Sequence, residues 1–154
     1  MKVRDFMITD VIYVKKDETV RQLLRKLVTH KIGGVPVLDD EHKLLGMISD
    51  GDVVRALANN KQQTTFDFYS MIIRLEKTEL KTSVKRKMDW TVDKVMTKRK
   101  LYYVNPDDDF EEVLNILSKH HFKKIPVINP AGRVVGVISR GDVIRFISQQ
   151  ITEE

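Results

Sequence analysis

The chain contains no cysteine, which excludes disulfide bonds, thiolate zinc sites and a cysteine nucleophile. It also contains no apolar run long enough for a signal peptide or for a membrane-spanning helix. These two absences predict a protein of the reducing cytoplasm that does not contact a membrane.

Sequence patterns of catalysis are missing as well. The chain has no Walker loop, no Gly-x-Gly-x-x-Gly and no local Ser-His-Asp motif. Two adjacent histidines, His120 and His121, share a predicted helix with the acidic run Asp107–Asp109. They lie at opposite ends of that helix, too far apart to share a metal ion. We therefore expect neither an enzyme nor a metal site.

Charge of one sign is not in large excess. The net charge of +5 is mildly basic, and the most basic stretch runs from Lys81 to Lys100. This stretch has few interleaved aromatic residues and no known nucleic-acid-binding motif. We expect a solvated basic surface and no nucleic-acid partner.

What the chain does contain is an internal repeat. Gly46–Leu57 has the sequence GMISDGDVVRAL, and Gly136–Ile147, ninety positions later, has GVISRGDVIRFI. The same spacing holds without a gap back to Val14. Further upstream, VRDFM at Val3–Met7 matches VDKVM at Val92–Met96 with a spacing of 89. The second copy therefore has one extra residue near its start.

Each copy predicts the order strand, helix, strand, strand, helix. The first helix of each copy begins with a capping-box pattern, Thr19 with Gln22 and Asp109 with Glu112. A three-stranded sheet with two helices buries little surface alone, so two copies should pack sheet to sheet. The predicted class is α/β (α+β), with two pseudo-symmetric repeats at 1–57 and 92–154 and a helical linker at 58–91.

The linker matches neither repeat and is rich in aromatic residues, Phe66, Phe68, Tyr69 and Trp90. Two interpretations stay open. The segment is either a connecting helix that packs on the edge of a sheet, or a subunit contact or lid over a ligand.

The pattern Gly-x-x-Ser-x-x-Asp occurs in both copies and has two explanations. Ser49 with Asp52, and Ser139 with Asp142, have the spacing of a helix cap. A cap does not explain the glycines at Gly46 and Gly136, which lie inside predicted strands where glycine is unfavourable unless another group approaches closely. A helix N-terminus attracts phosphate, and a carboxylate binds the hydroxyl groups of a ribose. The pattern therefore also indicates a nucleotide site.

These motifs, together with GGVPV at 33–37 and KKIPV at 123–127, resemble cystathionine-β-synthase (CBS) domains. The whole chain outside the linker resembles a tandem pair, the Bateman module. The resemblance implies clefts for adenine nucleotides or related adenosyl ligands. It assigns to the second repeat the residues Tyr102, Tyr103, Lys123, Lys124, Ile125, Pro126, Ser139, Arg140 and Asp142. It assigns to the first repeat the residues Ile12, Tyr13, Gly34, Val35, Pro36, Ser49 and Asp52.

Grouped by repeat, the two sites differ in charge. The second has Arg140 and two lysines where the first has Asp50 and two glycines. Because a guanidinium attracts phosphate and a carboxylate repels it, the second site is expected to bind more tightly. Asp142→Ala is accordingly expected to weaken binding more than Asp52→Ala.

The function predicted at this point is a stand-alone regulatory sensor of AMP, ADP, ATP or S-adenosylmethionine, with no cofactor and an unidentified downstream protein as its partner. The resemblance also implies a homodimer. The alternative is a structural or interaction module with empty clefts that acts through the aromatic linker.

Overall fold

The computed structural model describes residues 1–58 and 80–153. The three linker aromatics Phe66, Phe68 and Tyr69 lie outside the described residues. Trp90 lies inside them and packs against the buried residues of the first repeat.

The first repeat has the predicted order of elements. Its strands and helices are β1 (Val14–Lys15), α1 (Val20–His30), β2 (Gly34–Leu38), β3 (Leu44–Ser49) and α2 (Asp50–Ala58). The sheet order is β1-β2-β3, with β1 parallel to β2 and β2 antiparallel to β3. Because β2 and β3 are antiparallel, the end of β3 and the start of α2 lie beside the first residue of β2.

The second repeat is similar but has one strand fewer than predicted. It contains α3 (Phe110–Lys119), β4 (Ile125–Ile128), β5 (Val134–Ile138) and α4 (Arg140–Thr152). The expected first strand is reduced to a single parallel bridge from Val104 to Val127. Residues 80–87 are also helical, and 3-10 turns cover Val3–Asp5 and Val92–Lys94.

One of the two predicted capping boxes forms. The Gln22 amide N–H donates to the Thr19 hydroxyl at 3.2 Å, and the Gln22 side chain accepts from the Thr19 amide at 2.8 Å. The capping box at Asp109 was predicted incorrectly, because that side chain makes no cap hydrogen bond. Its carboxylate accepts instead from Lys2 Nζ at 2.8 Å, which holds the start of the chain against α3.

The buried residues form two clusters, each centred on the sheet of one repeat, and not the single shared core expected from the sequence. The first cluster contains Val14, Val20, Leu23, Leu27, Val35, Val37, Ile48, Val53 and Val92. The second contains Val3, Phe6, Val104, Val113, Ile125, Val127, Ile138 and Val143.

The first residues of the two repeats are exchanged between these clusters. The Val3 amide donates to the Asp108 carbonyl at 2.9 Å, and Phe6 stacks on Phe146 at a ring distance of 5.0 Å. Conversely, the Val92 amide donates to the Glu18 carbonyl at 2.8 Å. Each sequence repeat therefore places its first residues in the hydrophobic cluster of the other.

The two repeats also meet directly at their sheets. An antiparallel bridge links Lys43 to Arg133. At the other end of β2, the backbone at Gly34 lies close to the Lys123 side chain. A Cβ atom added to Gly34 would be only 3.3 Å from Lys123 Cβ. This second contact brings the starts of β2 and β4 together, where the candidate site residues are.

Candidate functional site

The Ser-x-x-Asp pattern of the first repeat forms the cap that the sequence predicts. The Asp52 amide donates to Ser49 Oγ at 3.3 Å, and Asp52 Oδ2 accepts from the Ser49 amide at 2.9 Å. The second oxygen, Oδ1, accepts from Arg55 at 2.7 Å and from the Thr97 hydroxyl at 3.5 Å. The Asp52 side chain is only 14% exposed, so it is a fixed carboxylate at the start of α2.

The second repeat reproduces this arrangement. Asp142 Oδ2 accepts from the Ser139 amide and hydroxyl, both at 2.8 Å, and Oδ1 accepts from Arg145 at 3.0 Å. The Asp142 side chain is 12% exposed. The two carboxylates are therefore matched in their caps, and any difference between the sites comes from the residues around them.

A cleft of about 220 Å³ lies over Asp52 and is built from both repeats. The first repeat and its strand β3 supply Gly34, Met47, Ile48, Ser49, Gly51, Asp52 and Arg55. The second half of the chain supplies Thr97, Lys100, Leu101, Tyr102, His121, Phe122, Lys123 and Lys124. Tyr102, Lys123 and Lys124, which were grouped with Asp142 in the sequence, thus line the cleft of Asp52.

Backbone pairing explains this mixing. The Met47 and Thr97 amides each donate to the other's carbonyl, at 3.0 and 2.8 Å, so the segment that leads to Tyr102 is hydrogen-bonded to β3 of the first repeat. The approach is so close that a Cβ on Gly46 would lie 2.7 Å from the Thr97 carbonyl oxygen. On the other side, a Cβ on Gly136 would lie 2.8 Å from Met7 Sδ. Neighbouring chain therefore accounts for the absence of a side chain at both positions, through backbone at Gly46 and through the Met7 side chain at Gly136.

One wall of the Asp52 cleft is aromatic. The Tyr102 ring lies 4.3 Å from His120 and 5.0 Å from Phe122, measured between ring centroids. Such a cluster provides a flat, polarisable surface on which a purine base can stack. The equivalents of Tyr102 and Phe122 in the first repeat are Ile12 and Ile32, which are not aromatic.

Cations surround the Asp52 cleft, contrary to the expectation from the sequence. Lys123 Nζ lies 3.7 Å from Asp50 Oδ1, so the residue that was expected to repel phosphate already has a positive neighbour. Lys100 and Lys124 also line the cleft. Burial lowers the pKa of the Lys124 ammonium, and the negative charge of Asp142 opposes that shift.

Three of the predicted residues of the second repeat, Lys123, Ser139 and Arg140, line a neighbouring depression of about 380 Å³. The other residues of its lining are Gly141, His121 and Phe122. Of these residues, His121, Phe122 and Lys123 also line the Asp52 cleft, so the two spaces adjoin. A basic path thus runs from Asp52 to the N-terminus of α4.

The remaining predicted residues do not join either space through their side chains. Val35 and Ile125 are fully buried in the two hydrophobic clusters, and Pro36 and Pro126 are buried beside them in β2 and β4. Ile12 packs against the first cluster, and Tyr103 is exposed. Tyr13 lines a separate open depression with Lys15, Asp17, Glu18, Gln22 and Lys26. None of these side chains lines the cleft over Asp52.

Sequence reasoning missed Thr97, Lys100 and His121, which line the Asp52 cleft. The signal for the first two was present. The change of spacing from 90 to 89 places the stretch Thr97–Lys100, TKRK, opposite the shorter Ile8–Asp10, ITD. The one-residue insertion lies in the segment that pairs with β3 at Gly46–Met47, so it indicates that the two sites have different walls at this place.

Within residues 1–58 and 80–153, no helix is both long and apolar enough to cross a bilayer. In the same ranges, no group of three or more histidine and acidic side chains is arranged to hold a metal ion.

A family model for the CBS domain matches residues 3–59 and 92–149. The chain therefore belongs to the CBS domain family and carries a tandem pair. An uncharacterised protein of Methanocaldococcus jannaschii is 29% identical over 155 residues, which cover 96% of this chain and 91% of that protein.

Solved structures agree with this assignment. CBSX2 of Arabidopsis thaliana, crystallised in complex with AMP, has a TM-score of 0.69 and 27% identity, over 96% of both chains. The chain spans 58% of the full-length CBSX2 protein. The CBS domain pair of the protein MJ0100, crystallised with 5′-methylthioadenosine and S-adenosyl-L-methionine, has a TM-score of 0.72 over 97% of this chain and 98% of that one. At 22% identity that match shows the fold alone.

Proposed function

We propose that this protein is a regulatory sensor that binds an adenine nucleotide, or a related adenosyl ligand, in the cleft over Asp52. The observation that carries the proposal is the composition of that cleft. A fixed carboxylate, an aromatic wall and several cations line one space, and these are the groups that a ribose, a purine and a phosphate require.

Each part of the ligand has a partner in the proposed site. The ribose hydroxyls donate to Asp52 Oδ1, whose present partner Arg55 is a surface residue and releases it at little cost. The adenine lies against Tyr102, and the phosphate reaches Lys123 and the helix N-termini. The AMP complex of CBSX2 supports a ligand of this class for the family.

Calorimetry with AMP, ADP, ATP and S-adenosylmethionine tests the proposal, with Asp52→Ala and Asp142→Ala as a matched pair. Both variants lose the same helix cap, so a thermal melt without ligand should show similar destabilisation. Removal of a hydrogen-bonded charge is worth about 1.5–3 kcal/mol, so Asp52→Ala should weaken binding by roughly ten- to a hundredfold.

The matched variant decides where the ligand binds. Asp142→Ala should change the affinity far less than Asp52→Ala. Equal losses in the two variants, or a larger loss in Asp142→Ala, would place the ligand elsewhere. A wild-type protein that binds none of the four ligands would refute the proposed function itself.

We propose further that the module acts as a homodimer and signals to a separate protein. Val54 on α2 and Ile144 on α4 occupy equivalent positions in the two repeats and are 63% and 66% exposed. Apolar residues at matched positions on both end helices favour a contact between copies. Light scattering should give a dimer mass, and Val54→Lys combined with Ile144→Lys should reduce it to the monomer mass.

A further inference from the structure

The linker contributes a buried charge to the first repeat. Lys87, at the end of the helical residues 80–87, is only 5% exposed, although lysine is normally found on the surface. Its Nζ donates to the Ala56 carbonyl at 2.7 Å and lies 5.5 Å from the centre of the Trp90 ring. Ala56 is in the last turn of α2, where carbonyl groups lack helical partners and attract a positive charge. Lys87 therefore fastens the linker to the C-terminal end of α2.

This attachment is close to the candidate site. Asp52 and Ala56 are four residues apart in α2, so they lie one helical turn, about 6 Å, from each other along the helix axis. The carboxylate that we assign to the ribose and the carbonyl that binds Lys87 thus belong to one short helix. Lys87 itself does not line the cleft.

Residues 87–97, which we call the strap, are attached to the first repeat at several further points. The Trp90 carbonyl accepts from the Val20 amide at 2.8 Å, at the start of α1. At the other end of the strap, Thr97 exchanges two backbone hydrogen bonds with β3, at 2.8 and 3.0 Å. The chain then continues to Tyr102, in the aromatic wall of the cleft. The strap therefore leads from the end of α2 to the wall of the Asp52 cleft.

These contacts form a ring that a bound ligand would complete. Lys87 connects α2 to the beginning of the strap. A ligand that touches both Asp52 and Tyr102 connects α2 to the chain just beyond the end of the strap. With both connections made, the strap is held more firmly and opens less often. By thermodynamic linkage, loss of one connection must then weaken the other.

We propose that Lys87 is a positioning residue that couples the Asp52 cleft to the linker. Ligand binding tightens the attachment of residues 80–97, and loss of the Lys87 contact weakens ligand binding. The inference rests on the proposed function and adds to it the element that responds to the ligand. Lys81, Lys85 and Arg86 are exposed on the same helical residues, so a separate protein can contact the segment whose attachment changes.

Hydrogen–deuterium exchange of the wild-type full chain tests the coupling. The ligand is the tightest binder among AMP, ADP, ATP and S-adenosylmethionine, used at saturation. Because binding stabilises the whole protein, the amides of α4 beyond its first turn serve as an internal reference. We expect the ligand to slow exchange in residues 80–92 about threefold more than in this reference, since local opening of the strap is suppressed. Equal slowing in the two regions would overturn the inference and leave the proposed function intact.

A matched pair of variants tests the role of the buried ammonium. Lys87→Met removes the charge and keeps an unbranched side chain, and Lys85→Met removes an exposed charge from the same helical residues. Lys87→Met should weaken ligand binding by about fivefold and abolish the extra protection of residues 80–92. Lys85→Met should change neither quantity.

These two measurements separate coupling from a purely structural role. A Lys87→Met variant that melts at a lower temperature, but keeps the wild-type affinity and the extra protection, would contradict the proposal. Should Lys87→Met fail to fold, the exchange measured on the wild type decides. A wild type that binds none of the four ligands overturns both this inference and the proposed function.

Discussion

Asp52 and Asp142 are held by the same hydrogen bonds, from the serine three residues earlier and the arginine three residues later. Their surroundings differ. Asp52 faces a glycine, a threonine hydroxyl and an aromatic wall. Asp142 is within the influence of a half-buried lysine. The first-repeat positions equivalent to Thr97, Tyr102 and Phe122 are isoleucines, Ile8, Ile12 and Ile32.

The comparison shows that one sequence repeat does not form one site, because each repeat contributes residues to the cleft over Asp52. The basic residues Lys123 and Lys124 belong to the second repeat in sequence, but they line the cleft whose carboxylate belongs to the first. A count of charges along each repeat therefore groups these two lysines with Asp142, whereas in the structure they line the cleft of Asp52. The preference for the second site, which the sequence suggested, is reversed in our proposal for this reason.

The largest effect on ligand binding outside the carboxylate should come from Lys123. We expect Lys123→Met to weaken ATP binding by about 1.5–3 kcal/mol, because a charge-assisted contact to phosphate is lost. Adenosine, which has no phosphate, should be nearly unaffected. Calorimetry with both ligands measures the difference.

Asp50→Asn is the matched control for this prediction. It removes the carboxylate that lies 3.7 Å from Lys123, so ATP should bind more tightly. If Lys123→Met weakens adenosine and ATP equally, the lysine has no phosphate-specific role.

The two glycines at places of close approach, Gly46 and Gly136, should differ in how well they tolerate a substitution by alanine. Gly46→Ala should destabilise the protein by about 1–3 kcal/mol, because the new Cβ meets a backbone carbonyl that cannot move alone. Gly136→Ala should cost less, since its closest neighbour is the flexible end of Met7. Urea unfolding of both variants gives the comparison, and equal losses would show that the two contacts are equally rigid.

The aromatic wall should contribute a smaller amount. Tyr102→Leu keeps an apolar side chain but removes the stacking surface, and we expect AMP binding to weaken by about 0.5–1.5 kcal/mol. Tyr103→Leu is the control, because Tyr103 is exposed and does not line the cleft. An equal change in the two variants would argue against stacking at Tyr102.

The smallest effect on ligand binding should come from the Thr97 hydroxyl, which contacts Asp52 and has no equivalent near Asp142. Thr97→Val removes the 3.5 Å contact to Asp52 Oδ1 and keeps the shape of the side chain. Because this contact is long, the expected loss of AMP affinity is about 0.5 kcal/mol. A loss above a factor of ten would mean that Thr97 contacts the ligand directly.

Much of the fold could be predicted from the sequence, because its signals are local. The apolar stripe of α1, the Thr19 cap and the Ser-x-x-Asp caps depend on residues three or four positions apart. The prediction at Asp109 was wrong because Lys2, more than a hundred residues away, binds its carboxylate. A contact of that range leaves no periodic pattern in the chain.

The candidate site was harder to predict for a similar reason. The carboxylates and serines were found, because one motif contains them. The walls come from segments such as Thr97–Tyr102, whose position depends on pairing with β3. The glycines at Gly46 and Gly136 were identified as places of close approach, but the sequence does not tell whether chain or ligand approaches.

The exchanged leading segments have a consequence for how the chain is made. During synthesis residues 3–8 leave the ribosome well before the second repeat, yet Val3 hydrogen-bonds to Asp108 and Ile8 pairs with Val137. The Phe6 ring therefore cannot be buried against Phe146 until the last helix of the second repeat has been made. Contacts of such high sequence separation slow folding, so a segment that is translated before both sheets is among the last to take its final place.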